Sequence, residues 1–203
     1  MTQHTSLDMS LGTPLVPFAL TVCGISELQG HCGHRVSHVL SILDPGFPDP
    51  EAFGAYAAHE RLQLRFYDII DEQPDMLAPQ KEHVESLLAF GRDLPRGGDA
   101  PAHLLVHCHA GVSRSTAAMT LLLAQARPDR PAAEALAEVV RIRPIAWPNL
   151  RMLELGDALL GRGGALVEAA HARYRAVMAR DPGWGRDMLR AGRGREVAGL
   201  LAE

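Results

Sequence analysis

Cys108 and Arg114 stand six residues apart in His107-Cys108-His109-Ala110-Gly111-Val112-Ser113-Arg114-Ser115, with a glycine between them and a hydroxyl residue straight after the arginine. An apolar run, Leu104-Leu105-Val106, leads in, and a helix-like run, Thr116 to Ala126, leads out. A short loop entering a helix turns successive backbone N–H groups toward one point, where the helix dipole adds partial positive charge. Such a nest, built from His109, Ala110, Gly111, Val112 and Ser113, fits a tetrahedral dianion. Arg114 can grip two of its oxygens at once, a geometry lysine lacks. Cys108 lies beneath the same donors, which stabilise its thiolate when the loop is empty. Gly111 suits a sharp turn or a close approach to the ligand, and Ser115 can donate to the sulfur and ease its departure. The chemistry expected of this set is nucleophilic attack on phosphorus through a cysteinyl-phosphate intermediate.

Other readings of the same residues are weaker. A lone cysteine after an apolar strand is often a small buried hydrophobe, but the arginine, glycine and serine in register argue against that here. A zinc site at His107-Cys108-His109 is disfavoured, because consecutive strand residues point to opposite faces. Cys23 and Cys32 form no Cys-x-x-Cys pair. No metal and no cofactor is expected.

The run resembles the signature of the protein tyrosine phosphatase superfamily, His-Cys-x-x-Gly-x-x-Arg-Ser/Thr. All fixed positions match, at His107, Cys108, Gly111, Arg114 and Ser115. The resemblance extends over about residues 15 to 160 and implies an α/β fold and phosphomonoester hydrolysis. It also implies a general acid, since the leaving oxygen must be protonated. In the superfamily this is an aspartate upstream of the cysteine. Leu62-Gln63-Leu64-Arg65-Phe66-Tyr67-Asp68 is similar to the strand that precedes it in compact dual-specificity phosphatases, so Asp68 is the choice, with Asp71 second and Asp75 third. There is no Trp-Pro-Asp tripeptide, which separates the chain from the large tyrosine-specific enzymes. Asn149, in the stretch after Arg143-Pro144, is expected either to brace the backbone of the cysteine loop or to cap the helix from Leu150.

Several elements must position these groups. Phe18 to Ile25, Val36 to Leu43 and Arg61 to Tyr67 read as strands, the last alternating through Leu62, Leu64 and Phe66. Asp44-Pro45-Gly46 stops the second strand, and a short helix is expected within residues 48–59. Helices are expected from Pro79 to Leu94, over Ser115 to Ala126 as a buried central helix, over Ala132 to Arg143, and from about Asn149 to Leu160. Arg96-Gly97-Gly98-Asp99 breaks the first of these. Strands interleaved with helices predict a three-layer α/β sandwich with a mainly parallel sheet, its ligand at the carboxyl ends of the strands. Residues 1–13 read as a loose N-terminus, 14–160 as the catalytic domain and 161–203 as a helical extension packing on it. Partner binding is the alternative for that extension. In it, Val167, Ala170, Tyr174 and Val177 mark a helix over Leu166 to Arg180.

The chain has 203 residues, a formal net charge of −4 and one lysine, Lys81. That gives no electrostatic case for nucleic acid, and no apolar stretch approaches a membrane span. Three cysteines make no disulfide framework, and no basic residue precedes Arg35, so the run Leu15 to Ile25 is not expected to be a secretory leader. A cytoplasmic location is expected, with a phosphorylated protein or small phosphate ester as partner. Loop positions His109, Ala110, Val112 and Ser113 carry no lysine, whereas superfamily members acting on inositol phospholipids often do; phosphotyrosine, alone or with phosphoserine and phosphothreonine, is therefore preferred. The alternatives are an inactive phospho-binding module and a phosphatase of non-protein esters. A redox link from Cys108 to Cys23 or Cys32 is a further possibility the sequence leaves open.

Overall fold

In the computed structural model, which describes residues 14–94 and 102–199, four short runs rich in aliphatic side chains form strands. They are β1 (Ala19–Gly24), β2 (His38–Leu43), β3 (Glu60–Arg65) and β4 (His103–Cys108), all parallel, in the order β1-β4-β2-β3. β4 is therefore interior, which explains its unbroken Leu104-Leu105-Val106, buried on both faces. Register sets Gly24 opposite Cys108 and Cys23 opposite His107. Because side chains alternate, Cys108 joins one core while Cys23 lies in the other.

The two faces of the sheet are covered unequally. On the Cys108 side lie α1 (Lys81–Asp93), α2 (Arg114–Ala126), α3 (Ala132–Ile142) and α4 (Leu150–Leu160). α2 is buried nearly all round, as an apolar central helix must be. The opposite face carries two 3-10 segments, Ile25–His31 and Glu51–Ala55, over Cys23, Leu28, Val36, Val39 and Leu105. The expected three-layer α/β sandwich with a parallel sheet is present, one layer being thin. Within 48–59 the helical segment that forms is the 3-10 turn Glu51–Ala55.

α5 (Ala165–Met178) packs on α3 and α4, and α6 (Gly183–Arg190) on α5. Gly161, at φ 63°, ends α4, and the Asp157 carboxylate then accepts from Gly164 N (2.6 Å) and Leu166 N (2.8 Å) to start α5. The buried stripe of α5 is Leu166, Ala170, Tyr174 and Met178. Val167 and Val177, which the sequence pattern places on that stripe, are only half-buried at its margin. Trp147 stacks between Tyr174 (4.4 Å between centroids) and Trp184 (5.6 Å). Residues 1–13 and the break at Arg96-Gly97-Gly98-Asp99 lie outside the described residues.

Candidate active site

The loop between β4 and α2 is held by its carbonyls. Ile25 N donates to His109 O (2.9 Å), and Arg143 donates to Ala110 O and Gly111 O (3.0 Å each). Trp147 N donates to Val112 O (2.9 Å), while Ala117 N and Asn149 N share Ser113 O (3.0 and 3.3 Å). With the carbonyls turned outward, the amides of residues 110–113 turn inward. None of them donates to another protein group among the described residues. These free donors are the ones that the spacing assigns to an anion nest.

Gly111 makes the turn at φ 69°, where a Cβ would stand 2.4 Å from the Cys23 carbonyl carbon and 2.6 Å from Gly24 N. Neither the dihedral nor the contact can relax without moving β1. Gly111→Ala is expected to cost at least the roughly 1–2 kcal/mol of a left-handed alanine, or about 4 °C or more in Tm. A thermal melt with and without orthovanadate checks this, the variant losing the stabilisation by the anion as well. Below the loop, Glu27 accepts from Arg143 through both oxygens (2.7 Å each) and from Gly24 N (2.7 Å). These bonds, Arg143's foremost, hold its carboxyl below the usual range against partial burial.

Cys108 Sγ lies 3.2 Å from Ser115 Oγ, both buried. Arg114 opens α2, one residue earlier than the sequence suggests, and its side chain is 4% exposed. Its NH1 donates to Asp44 Oδ1 and to Phe66 O (2.6 Å each), while its Nε is buried with no protein partner. One nitrogen fixes the guanidinium, and the Nε edge is left to face an anion. His109 turns aside: its Nε2 accepts from Asp44 N (3.2 Å) and its ring packs on Phe47 at 4.4 Å. Partial burial lowers its pKa.

Asp68 follows β3 by three residues. Its Oδ1 accepts from Ser113 Oγ (2.7 Å), Asn149 Nδ2 (2.9 Å) and Arg193 NH1 (3.2 Å). Asp71 instead pairs with Arg195 (2.7 Å), and Asp75 sits in a turn at φ 59°. Of the three aspartates, Asp68 is the one bonded to the cysteine loop. Asn149 caps α4, accepting from Met152 N (3.1 Å), and its Nδ2 also reaches Ile69 O (3.2 Å). Its side chain thus braces the loop of Asp68, and only its backbone amide reaches the cysteine loop.

No family model matches the chain. Human protein phosphatase Slingshot homolog 3 is 31% identical to it in a 142-residue alignment that covers 67% of this chain and 18% of that protein. The crystal structure of human DUSP28 covers 73% of this chain and 97% of its own, with a TM-score of 0.53 and 19% identity. The chain is thus similar in sequence and in fold to members of the protein tyrosine phosphatase superfamily. Its layout is the compact dual-specificity type. Among the described residues no helix is long and apolar enough to cross a membrane.

The superfamily histidine, His107, lies on the far face of the sheet against Phe53, with centroids 5.5 Å apart. Neither ring nitrogen has a protein partner, and burial pushes its pKa down to about 4. An unfolded histidine titrates near 6.5, so between pH 6.5 and 4 the unfolded chain binds the extra proton. Stability is therefore full above that window and falls as pH drops through it, by up to about 3 kcal/mol from this group. His107→Gln is expected to flatten the decline of Tm between pH 7 and 5 relative to wild type. A decline of the same slope in both proteins would exclude the assignment. Burial also raises the Cys23 thiol to about 12, and β1 sets it on the face away from Cys108.

Residues that the sequence reading missed surround the loop. Asp44 is legible in the sequence only as a turn former in Asp-Pro-Gly, and Glu27 is not singled out by it at all. Arg143 marked a family resemblance without a contact, and Arg193 and Glu196 carried no local signal.

Proposed function

We propose that the chain is a metal-independent phosphomonoester hydrolase, a protein tyrosine or dual-specificity phosphatase. The observation that carries this is the unpartnered, buried Nε of Arg114 beside inward-turned loop amides, above the Cys108–Ser115 pair. Those donors fit three equatorial phosphoryl oxygens. Cys108 thiolate forms the S–P bond as the P–O bond to the leaving group breaks, and Asp68 gives its proton to the leaving oxygen. Asp68, now a carboxylate, takes a proton from water as the water oxygen bonds to phosphorus. The S–P bond breaks, and Ser115 donates to the returning thiolate. The absence of lysine at His109, Ala110, Val112 and Ser113 supports phosphotyrosine over more highly charged inositol phosphates. The cytoplasm is the proposed compartment.

Hydrolysis of p-nitrophenyl phosphate in excess chelator, blocked by orthovanadate, tests the reading. Comparing kcat/KM for phosphotyrosine and phosphoserine peptides then ranks the substrates. A folded protein that binds vanadate and turns over neither aryl phosphate nor phosphopeptide would point to a phospho-binding module instead.

A further inference from the structure

We propose that Arg193, in the extension beyond residue 160, is a positioning residue for the general acid. The inference rests on the phosphatase reading and on Asp68 as its acid. Arg193 is 6% exposed and Glu196 is fully buried. A guanidinium in such a place is costly unless its donors are met. Glu196 meets two of them, Nε at 2.8 Å and NH2, and would suffice to neutralise it. The remaining nitrogen, NH1, is directed at Asp68 Oδ1.

The mounting is rigid. Glu196 also accepts from Trp147 Nε1 (2.6 Å) and Leu150 N (3.1 Å). Residues 147–150 are the same stretch that holds Val112 O, Ser113 O and Asp68. Signature loop, Trp147-to-Leu150 stretch, Glu196, Arg193 and Asp68 thus close into one ring of bonds. Arg195 repeats the tie one step along, donating to Asp71 Oδ1 (2.7 Å), Ile70 O (2.7 Å) and Glu154 Oε1 (2.6 Å). The segment 68–71 has no helix or strand of its own, so these bonds supply the rigidity that a catalytic loop needs. Ser113, Asn149 and Arg193 all converge on Oδ1. Oδ2 is left as the oxygen that can carry the transferred proton.

A tether that merely stabilised the fold would lower turnover of every ester alike. Acid alignment matters most when the leaving group is basic, so the test compares kcat/KM for phenyl phosphate and p-nitrophenyl phosphate in the full chain. Arg193→Met is expected to lose about tenfold on phenyl phosphate and about threefold or less on p-nitrophenyl phosphate. In an Asp68→Asn background it should lose nothing further, because its partner's proton is already gone. Should Arg193→Met fail to fold with Glu196 unpaired, Arg193→Lys is measured the same way. One ammonium cannot span both carboxylates as the planar fork does, so the same skew is expected. Equal losses on the two esters, or an undiminished loss beside Asp68→Asn, would overturn the proposal. A wild type that hydrolyses neither ester would overturn the phosphatase reading beneath it.

Discussion

Cys108→Ser is expected to abolish phosphate-ester turnover, by at least about 10⁴-fold, while leaving the fold and the anion nest intact. The size of the effect follows from ionisation. Beneath the inward-turned amides a thiolate is a strong nucleophile, whereas a serine hydroxyl there is a weak one and has no base beside it. Ser115 approaches the sulfur at 3.2 Å, but a hydroxyl is not a strong base. The fold should tolerate the change, because the new hydroxyl, although buried, finds Ser115 as a partner and leaves no polar group unmet. The variant should therefore still bind orthovanadate and phosphopeptides. Three measurements decide the matter together: p-nitrophenyl phosphate turnover in chelator, a thermal melt, and calorimetric binding of phosphate. Turnover that persists in the serine variant, or that needs added metal, would sink the cysteinyl-phosphate mechanism. Loss of turnover together with loss of anion binding would say instead that the loop had collapsed.

What could be read in advance followed from how local each interaction is. Cys108, Gly111, Arg114 and Ser115 sit within one loop and the first helical turn after it, so their spacing alone specifies a geometry. The continuous apolar run of β4 and the nearly uniform apolarity of α2 announced a covered parallel strand and a buried helix. Asp68 came into view only through the resemblance of Leu62-to-Asp68 to the strand before the acid in compact dual-specificity phosphatases; the alternation of Leu62, Leu64 and Phe66 carried the strand to Tyr67, two residues past the end of β3. The clamps were not. Arg114–Asp44, Arg143–Glu27 and Arg193–Asp68 join residues separated by 70, 116 and 125 positions. No periodicity or turn rule connects such pairs; tertiary packing of distant segments brings them together. The thin second layer was hidden for another reason. Its 3-10 segments are too short to show a helical stripe. Asn149 illustrates both sides: its cap on α4 follows from its place before Leu150, but the direction of its amide toward Asp68 and Ile69 is a tertiary fact.

Arg114→Lys, which keeps the charge, is expected to lower kcat by about 10²–10³-fold, with a smaller loss in KM. The guanidinium serves two ends at once. NH1 is committed to Asp44 and the Phe66 carbonyl, and the Nε edge faces the nest. A single ammonium must choose. If it follows Asp44, the nest loses the Arg114 charge; if it enters the nest, Asp44 and Phe66 O lose their donor, and the charge arrives on a flexible stem. Both cases cost most in the transition state, where the equatorial oxygens spread and a planar, fixed pair of donors matches them best. Measuring kcat and KM separately, with the inhibition constant of inorganic phosphate, distinguishes this from a plain loss of attraction. Charge alone would move KM and the phosphate constant together and leave kcat within a few fold of wild type. Such a result would mean that Asp44 and Phe66 O hold Arg114 for stability and not for its alignment on the phosphoryl group. A fall in kcat with nearly unchanged phosphate binding would place the value of Arg114 in its geometry, and would make Asp44, a residue the sequence offered only as a turn former, part of what catalysis requires.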